Sequence, residues 1–169
     1  HTPEALSVCL RNIREQFSNK NISIVLGCGG NRDRAKRSII GKIASNYCNR
    51  IYLTDDNPRY ENPKKIRDDI KKGIKRNKFF EIPDRKKAIV NAINNLNSND
   101  ILIVAGKGHE NIQDLGKRKI IFSDKKTIVD SIRARNKSFS SNLKVNILRE
   151  FKEAKKVSNL TKLNKASIN

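Results

Sequence analysis

The chain reads as an α/β fold: a mostly parallel, Rossmann-like sheet with helices on both faces, followed by a basic C-terminal tail. Three observations predict it. Helical and strand periodicities alternate over most of the 169 residues. The two most apolar strand runs, 22–26 and 101–105, are continuous rather than alternating, as strands covered on both faces must be. Both run into glycine turns, Gly27-Cys28-Gly29-Gly30 and Gly106-Lys107-Gly108, where a parallel strand hands over to its loop.

Taken in order, Thr2-Pro3 supplies an N-cap and a proline at the first helical position. Leu6, Cys9, Leu10, Ile13 and Phe17 then recur at helical spacing to about 18. The strand 22–26 follows, then a helix marked by Ile39, Ile40, Ile43, Ala44 and Tyr47. Ile51 to Thr54 is a second strand, broken by Asp55-Asp56-Asn57-Pro58. Pro63 to about Arg76 is a charged amphipathic helix carried by Ile66, Ile70 and Ile74; Phe79 to Ile82 is a brief strand; Ala88, Ile89, Ala92, Ile93 and Leu96 line the next helix. After the strand 101–105, Lys119 to Phe122 and Thr127 to Arg133 read as a last strand and helix closing the sheet. Such alternation implies parallel strands joined by helical crossovers.

Composition narrows the function classes. There are 37 Lys and Arg against 17 Asp and Glu, a net charge of +20. Lys, Asn and Ile number 23, 21 and 22, and these three share A/T-rich codons, so codon bias accounts for the lysine excess without an anionic partner. Aromatic residues are 5% and Trp is absent, which leaves few stacking platforms for single strands. A specific nucleic-acid function is therefore not expected, although a basic nucleic-acid-binding module stands as the rival from another class. No run approaches the ~18 apolar residues of a membrane span. Cys9, Cys28 and Cys48 form no CxxC pair or His-rich cluster, so reduced thiols in a cytoplasmic protein are expected and a metal site is not. The chain contains no Met and begins at His1, which reads as a piece of something longer.

In a parallel α/β sheet the ligand sits beyond the carboxyl ends of the strands, and this selects the loops 27–37, 55–62 and 105–111. The first satisfies neither GxGxxG nor GxxxxGK[ST]. It presents Arg32, Arg34, Lys36 and Arg37 beside a helix N-terminus, which suits either an anion site or a tight structural turn with solvated cations. The second offers Asp55, Asp56, Asn57, Pro58 and Arg59. An arginine that clamps a carboxylate beside an aspartate that takes an ammonium fits a zwitterionic amino-acid head; an Asx turn with a surface salt bridge is the plainer alternative. The third, Ala105 to Glu110, brings Lys107, His109 and Glu110 on flexible backbone, and His109 has no partner at a spacing that would make it a general base.

Together, HTPEAL (1–6), GCGGNRDRAKR (27–37), TDDNPRYENP (54–63) and AGKGHE (105–110) occur in order. The chain from 1 to about 134 resembles the carboxy-terminal domain of the Mur ligases, in the branch that adds diaminopimelate; DNPR is the most discriminating element. The resemblance implies an ATP-dependent amide ligase of peptidoglycan synthesis in which meso-diaminopimelate joins a UDP-muramoyl dipeptide. It implies meso-diaminopimelate contacts at Arg32, Asp56, Asn57, Pro58, Arg59, Gly106 and Glu110, and a nucleotide-proximal position for His1. ATP and Mg2+ would be bound mainly by a central domain outside these residues, with a further N-terminal domain for the UDP-sugar. With no P-loop in the 169 residues, no catalytic residue and no metal ligand are expected here, and the chain alone is expected to be inactive. A folylpolyglutamate-synthetase-like domain is the rival within the superfamily, and the DNPR and AGKGHE pair argues against it.

Three positions depart from the family pattern: Asn31 for a common Asp, Ala35 for the usual Gly and Ser38 for a frequent Pro. A domain boundary is expected between 134 and 135, because 136–142 is polar and serine-rich and 135–169 carries nine basic and two acidic side chains. Beyond it Val145, Leu148, Phe151, Ala154 and Val157 recur at near-helical steps. A disordered basic tail and the opening of another domain, loosely resembling the start of the next Mur ligase, both remain open.

Overall fold

The computed structural model describes residues 2–75 and 78–140. Helix α1 (Pro3–Gln16) starts as expected, with Thr2 Oγ1 accepting the Ala5 N–H at 3.2 Å and Pro3 in the first turn. Then come β1 (Asn21–Leu26), α2 (Ala35–Tyr47), β2 (Arg50–Leu53), α3 (Pro63–Lys71), β3 (Lys78–Glu81), α4 (Arg85–Asn94) and β4 (Asp100–Val104). Asn62 and Asp84 cap α3 and α4 through their side chains, each satisfying otherwise orphaned N–H groups.

The four strands form one parallel sheet in the order β3-β2-β1-β4. Successive side chains point to opposite faces, and the burial follows. Ile22, Ile24 and Leu26 of β1, with Ile51 and Leu53 of β2, pack against Leu10 of α1, Ala44 of α2 and Ile66 and Ile70 of α3. Val25 and Tyr52 face the other way, onto Ala88, Ile89, Ala92 and Ile93 of α4. The expected α/β architecture with both faces covered is what the chain adopts. Each fully buried Ile or Leu contributes roughly 1.5–3 kcal/mol, so the carboxyl ends of β1 and β2 are held by the best-packed part of the sheet.

Strand order decides where the site lies. From β1 the chain winds to β2 and β3 on one side, then returns past β1 to β4 on the other. The loops after β1 and β4 therefore part at a switch in winding direction and leave a crevice between them.

One expectation is corrected. The segment 119–121 does not extend the main sheet: it is β6 (Lys119–Ile121), paired antiparallel with β5 (Ile112–Asp114) in a separate hairpin. The turn closes through the Leu115 N–H to the Arg118 carbonyl at 2.9 Å. With three residues per strand and a reversal so near, the segment cannot span the main sheet. Residues 124–131 are helical, and Phe122 and Ile128 pack on the α4 face.

The chain divides into two compact units, 1–131 and 132 onward. The described part of the second, 132–140, is helical, including 136–140, which composition reads as linker. Arg133, Ala134 and Arg135 favour helix, and Ser and Asn cost only a few tenths of a kcal/mol each once a helix is running. The repeat 145–157 and the tail end lie outside the described residues. Among the described residues no helix is long and apolar enough to cross a membrane.

Candidate functional site

The loop after β1 is built to bring backbone close to the loop after β2. The Gly30 N–H donates to the Asn57 carbonyl at 2.8 Å, and a Cβ on Gly30 would stand 1.9 Å from the Pro58 oxygen, so no other residue fits. Asn31 follows in the left-handed region (φ 52°), where Asn is tolerated, and its Oδ1 accepts the Tyr60 N–H at 3.2 Å. Glu61 ties the loop down: it accepts from the Asn31 N–H and takes Arg37 on two nitrogens at 2.9 and 3.1 Å. Arg37 is fully buried, with Asp69 as a second partner at 3.2 Å, and Arg34 reaches Glu61 at 3.3 Å. Of the four cations of this loop, two are thus structural and Lys36 sits 4.0 Å from Asp33. Arg32 is exposed on the cavity wall and has no ion-pair partner among the described residues.

The loop after β2 separates its two aspartates. Asp55 is taken by Arg67, so for that residue the plain ion-pair reading holds. Asp56 turns into the cavity at 5% exposure. Burial pushes its carboxyl above the usual range, while Arg85, with Nη1 at 4.0 Å, and Lys107 pull it back. Asn57 is saturated: Oδ1 accepts from Lys107 Nζ at 2.9 Å and the Asp114 N–H at 3.0 Å, and Nδ2 donates to Glu110 at 2.8 Å. Arg59 has φ 50° and donates from Nη1 to the Gly30 carbonyl at 2.6 Å. Pro58 is buried behind the turn and does not reach the cavity wall.

The loop after β4 closes the site. Gly106 has φ 110°, and a Cβ there would lie 2.5 Å from Asp56 Oδ2. Lys107 is 1% exposed and gives its three protons to Asn57, Glu110 and the Ile112 carbonyl. Burial works to raise Glu110, but the hydrogen bonds from Asn57 and Lys107 outweigh it and hold the carboxyl below the usual range. His109 is exposed and off the cavity. Cys28 lines the cavity as a neutral thiol, pushed up to about 12 by burial and by Asp56.

These loops enclose a cavity of about 750 Å³. Arg32, Asp56, Asn57, Arg59, Gly106 and Glu110 all lie on its wall, and Leu6, Ile40 and Ile103 give it an apolar side. The hollow is lined by Arg32, Lys36, Arg37 and Arg59 and by the carboxylates Asp33, Asp56 and Glu110, a charge inventory that suits a molecule with both ammonium and carboxylate groups. Of the residues expected from the sequence, Pro58 stands outside the wall and His1 lies outside the described residues. The sequence reading missed Arg85 and treated Lys107 and Arg37 as presented cations. Among the described residues no three His, Cys, Asp or Glu side chains converge on a metal position. With no P-loop in the sequence, the residues here fit neither Mg2+ nor a triphosphate.

A family model described as Mur ligase, glutamate ligase domain, matches residues 1–108. The chain belongs to the Mur ligase family. A UDP-N-acetylmuramoyl-L-alanyl-D-glutamate–2,6-diaminopimelate ligase of Rickettsia conorii is 48% identical over 129 residues, covering 76% of this chain and 27% of that protein. The ligase of the same name from Fusobacterium nucleatum is 47% identical over 129 residues, 74% of this chain and 26% of its own. A solved structure under that name superposes with a TM-score of 0.75 at 38% identity, over 80% of this chain and 28% of that one. This Mur ligase domain thus spans about a quarter of the length of the curated relatives it matches.

Proposed function

We propose that this Mur ligase domain holds meso-diaminopimelate for a complete UDP-N-acetylmuramoyl-L-alanyl-D-glutamate–2,6-diaminopimelate ligase. One observation carries the reading: Asp56, Glu110, Arg32 and Arg59, contributed by three different loops, line a single cavity at the switch point of the sheet. Asp56 takes an ammonium group, and the arginines take carboxylates, Arg59 the distal one that lysine lacks. Asn57 and Gly106 shape the wall, Pro58 fixes the turn, and His1 is assigned to the nucleotide side. Diaminopimelate carries two zwitterionic centres, and holding one leaves the amine of the other aimed at its acyl partner, which is catalysis by positioning. The residues here fit neither ATP nor Mg2+; other domains of the complete enzyme would hold them and supply the activation of the muramoyl dipeptide carboxylate. We place the protein in the cytoplasm, where thiols such as those of Cys9 and Cys28 stay reduced.

The test is calorimetry on the 169-residue chain with meso-diaminopimelate and with L-lysine. A charged hydrogen bond contributes about 1.5–3 kcal/mol, so meso-diaminopimelate binds at least ~10-fold tighter, and Arg59→Ala removes the preference. In the complete ligase the same change raises the KM for diaminopimelate by a similar factor and that for ATP far less. Equal affinity for the two amino acids, or an unchanged preference in Arg59→Ala, overturns the assignment.

A further inference from the structure

Behind Asp56 lies a buried cation that does not reach the cavity wall. Arg85, the first residue of α4, is 1% exposed. Its Nε and Nη2 donate to the Asp124 carboxylate at 2.8 and 2.6 Å, and Nη2 also donates to the Ala105 carbonyl at 2.9 Å. Nη1 is buried with no hydrogen-bond partner and lies 4.0 Å from Asp56 Oδ2. A buried charged donor left without a bond is disfavoured unless something else compensates it, and the compensation here is the facing carboxylate.

Of the groups that favour the ionised Asp56 carboxylate, Arg85 acts most strongly, ahead of Lys107 and the Asn57 N–H. Lys107, from the loop after β4, is shared among three acceptors. Glu110 carries the same sign as Asp56, and the Cys28 thiol is neutral. We propose that Arg85 is a positioning residue: Nη1 is the counter-charge that keeps Asp56 ionised, and Nη2, through Ala105, holds Gly106 against that carboxylate. This rests on the reading of Asp56 as the ammonium-binding group. Arg85 never touches the ligand; it acts through Asp56 and the backbone at 105–106. A purely structural Arg85, joining α4 to the segment at 124, would satisfy Asp124 and leave the titration of Asp56 unmoved.

The experiment follows the Asp56 carboxyl by carbon NMR in the ligand-free 169-residue chain, with Asp56→Asn identifying the signal. The double variant R85Q/D124N removes both buried charges and keeps polar partners in place. In it the Asp56 midpoint rises by about one pH unit or more, the low end of what an adjacent arginine does to a carboxylate. An unmoved midpoint in the folded double variant overturns the proposal. If that variant does not fold, Asp124→Asn alone decides: Arg85 then serves one carboxylate instead of two, the midpoint falls, and an unmoved or raised midpoint overturns the proposal. Calorimetry with meso-diaminopimelate runs on the same samples, and the loss of binding toward acid shifts with the midpoint. If the unmodified chain takes up no meso-diaminopimelate, the reading of the site fails, while the Asp56 midpoint still judges the role of Arg85.

Discussion

Asp56 is nearly closed off from solvent, and burial sets its carboxyl above the ordinary range against the pull of Arg85 and Lys107. The sign of the consequence follows. The form that takes an ammonium is the ionised one, present above the folded-state pKa and lost as pH falls through it. Because that pKa is raised, loss begins at a higher pH than the ~3.9 of a free aspartate would give. Affinity for meso-diaminopimelate is therefore expected to decline while an exposed aspartate would still be charged, and calorimetry down a pH series checks it; a flat profile to about pH 4 contradicts it. Gly106 is the second residue on which the carboxylate depends. Alanine there meets both the positive φ and a Cβ placed 2.5 Å from Asp56 Oδ2. Gly106→Ala is expected to cost about 1–3 kcal/mol of stability and to abolish measurable binding, read by thermal melting and calorimetry together. A variant that binds as before would show that the loop and Asp56 move apart freely.

The loop after β4, the β5–β6 hairpin and the turn after β2 behave as one element because Lys107 and Asn57 are shared among them. Lys107 bonds the Ile112 carbonyl, Asn57 bonds the Asp114 N–H, and the Arg59 N–H donates to the Asp114 carbonyl at 3.1 Å. Lys107→Met removes three charged hydrogen bonds from a buried position. A loss of at least about 3 kcal/mol is expected, since each such bond contributes roughly 1.5–3 kcal/mol, with faster amide exchange at Ile112 to Asp114 and little change in β1 or β2. Uniform acceleration across the sheet would mean that the hairpin is not a separate element. Element scale also separates what was legible in the sequence from what was not. Strands β1, β2 and β4 and the three loops that end them were readable because apolar runs and Gly, Asn and Pro turns are local signals. The hairpin was not: Ile112-Gln113-Asp114 is too short to show a period, and its pairing depends on a turn closed by backbone bonds. Nor was the fate of the buried cations. Arg37 meets Asp69 across 32 residues and Arg85 meets Asp124 across 39, and at that separation a charged side chain reads as solvated.

Across the whole molecule, the net charge of +20 and the charges of the cavity belong to different regimes. Many of the lysines, such as Lys64 and Lys126, pair with neighbours one turn away while mostly exposed, and pairs of that kind contribute little and are readily screened. Three cations at or behind the cavity are enclosed: Arg37, Arg85 and Lys107 are each about 1% exposed and each is matched to carboxylates. Salt distinguishes the two. Attraction of the basic surface to DNA is a counterion-release effect and is expected to fall by orders of magnitude between about 50 and 200 mM salt. Binding of meso-diaminopimelate in a partly closed hollow is screened far less, and its affinity is expected to change by no more than about threefold over the same range. Measuring both on the same 169-residue chain compares the regimes directly. A parallel collapse of the two would mean that the amino acid is held by the diffuse positive field of the surface rather than by Asp56 and the arginines at the ends of β1 and β2. DNA retention that persisted at high salt would instead point to specific contacts on the basic surface.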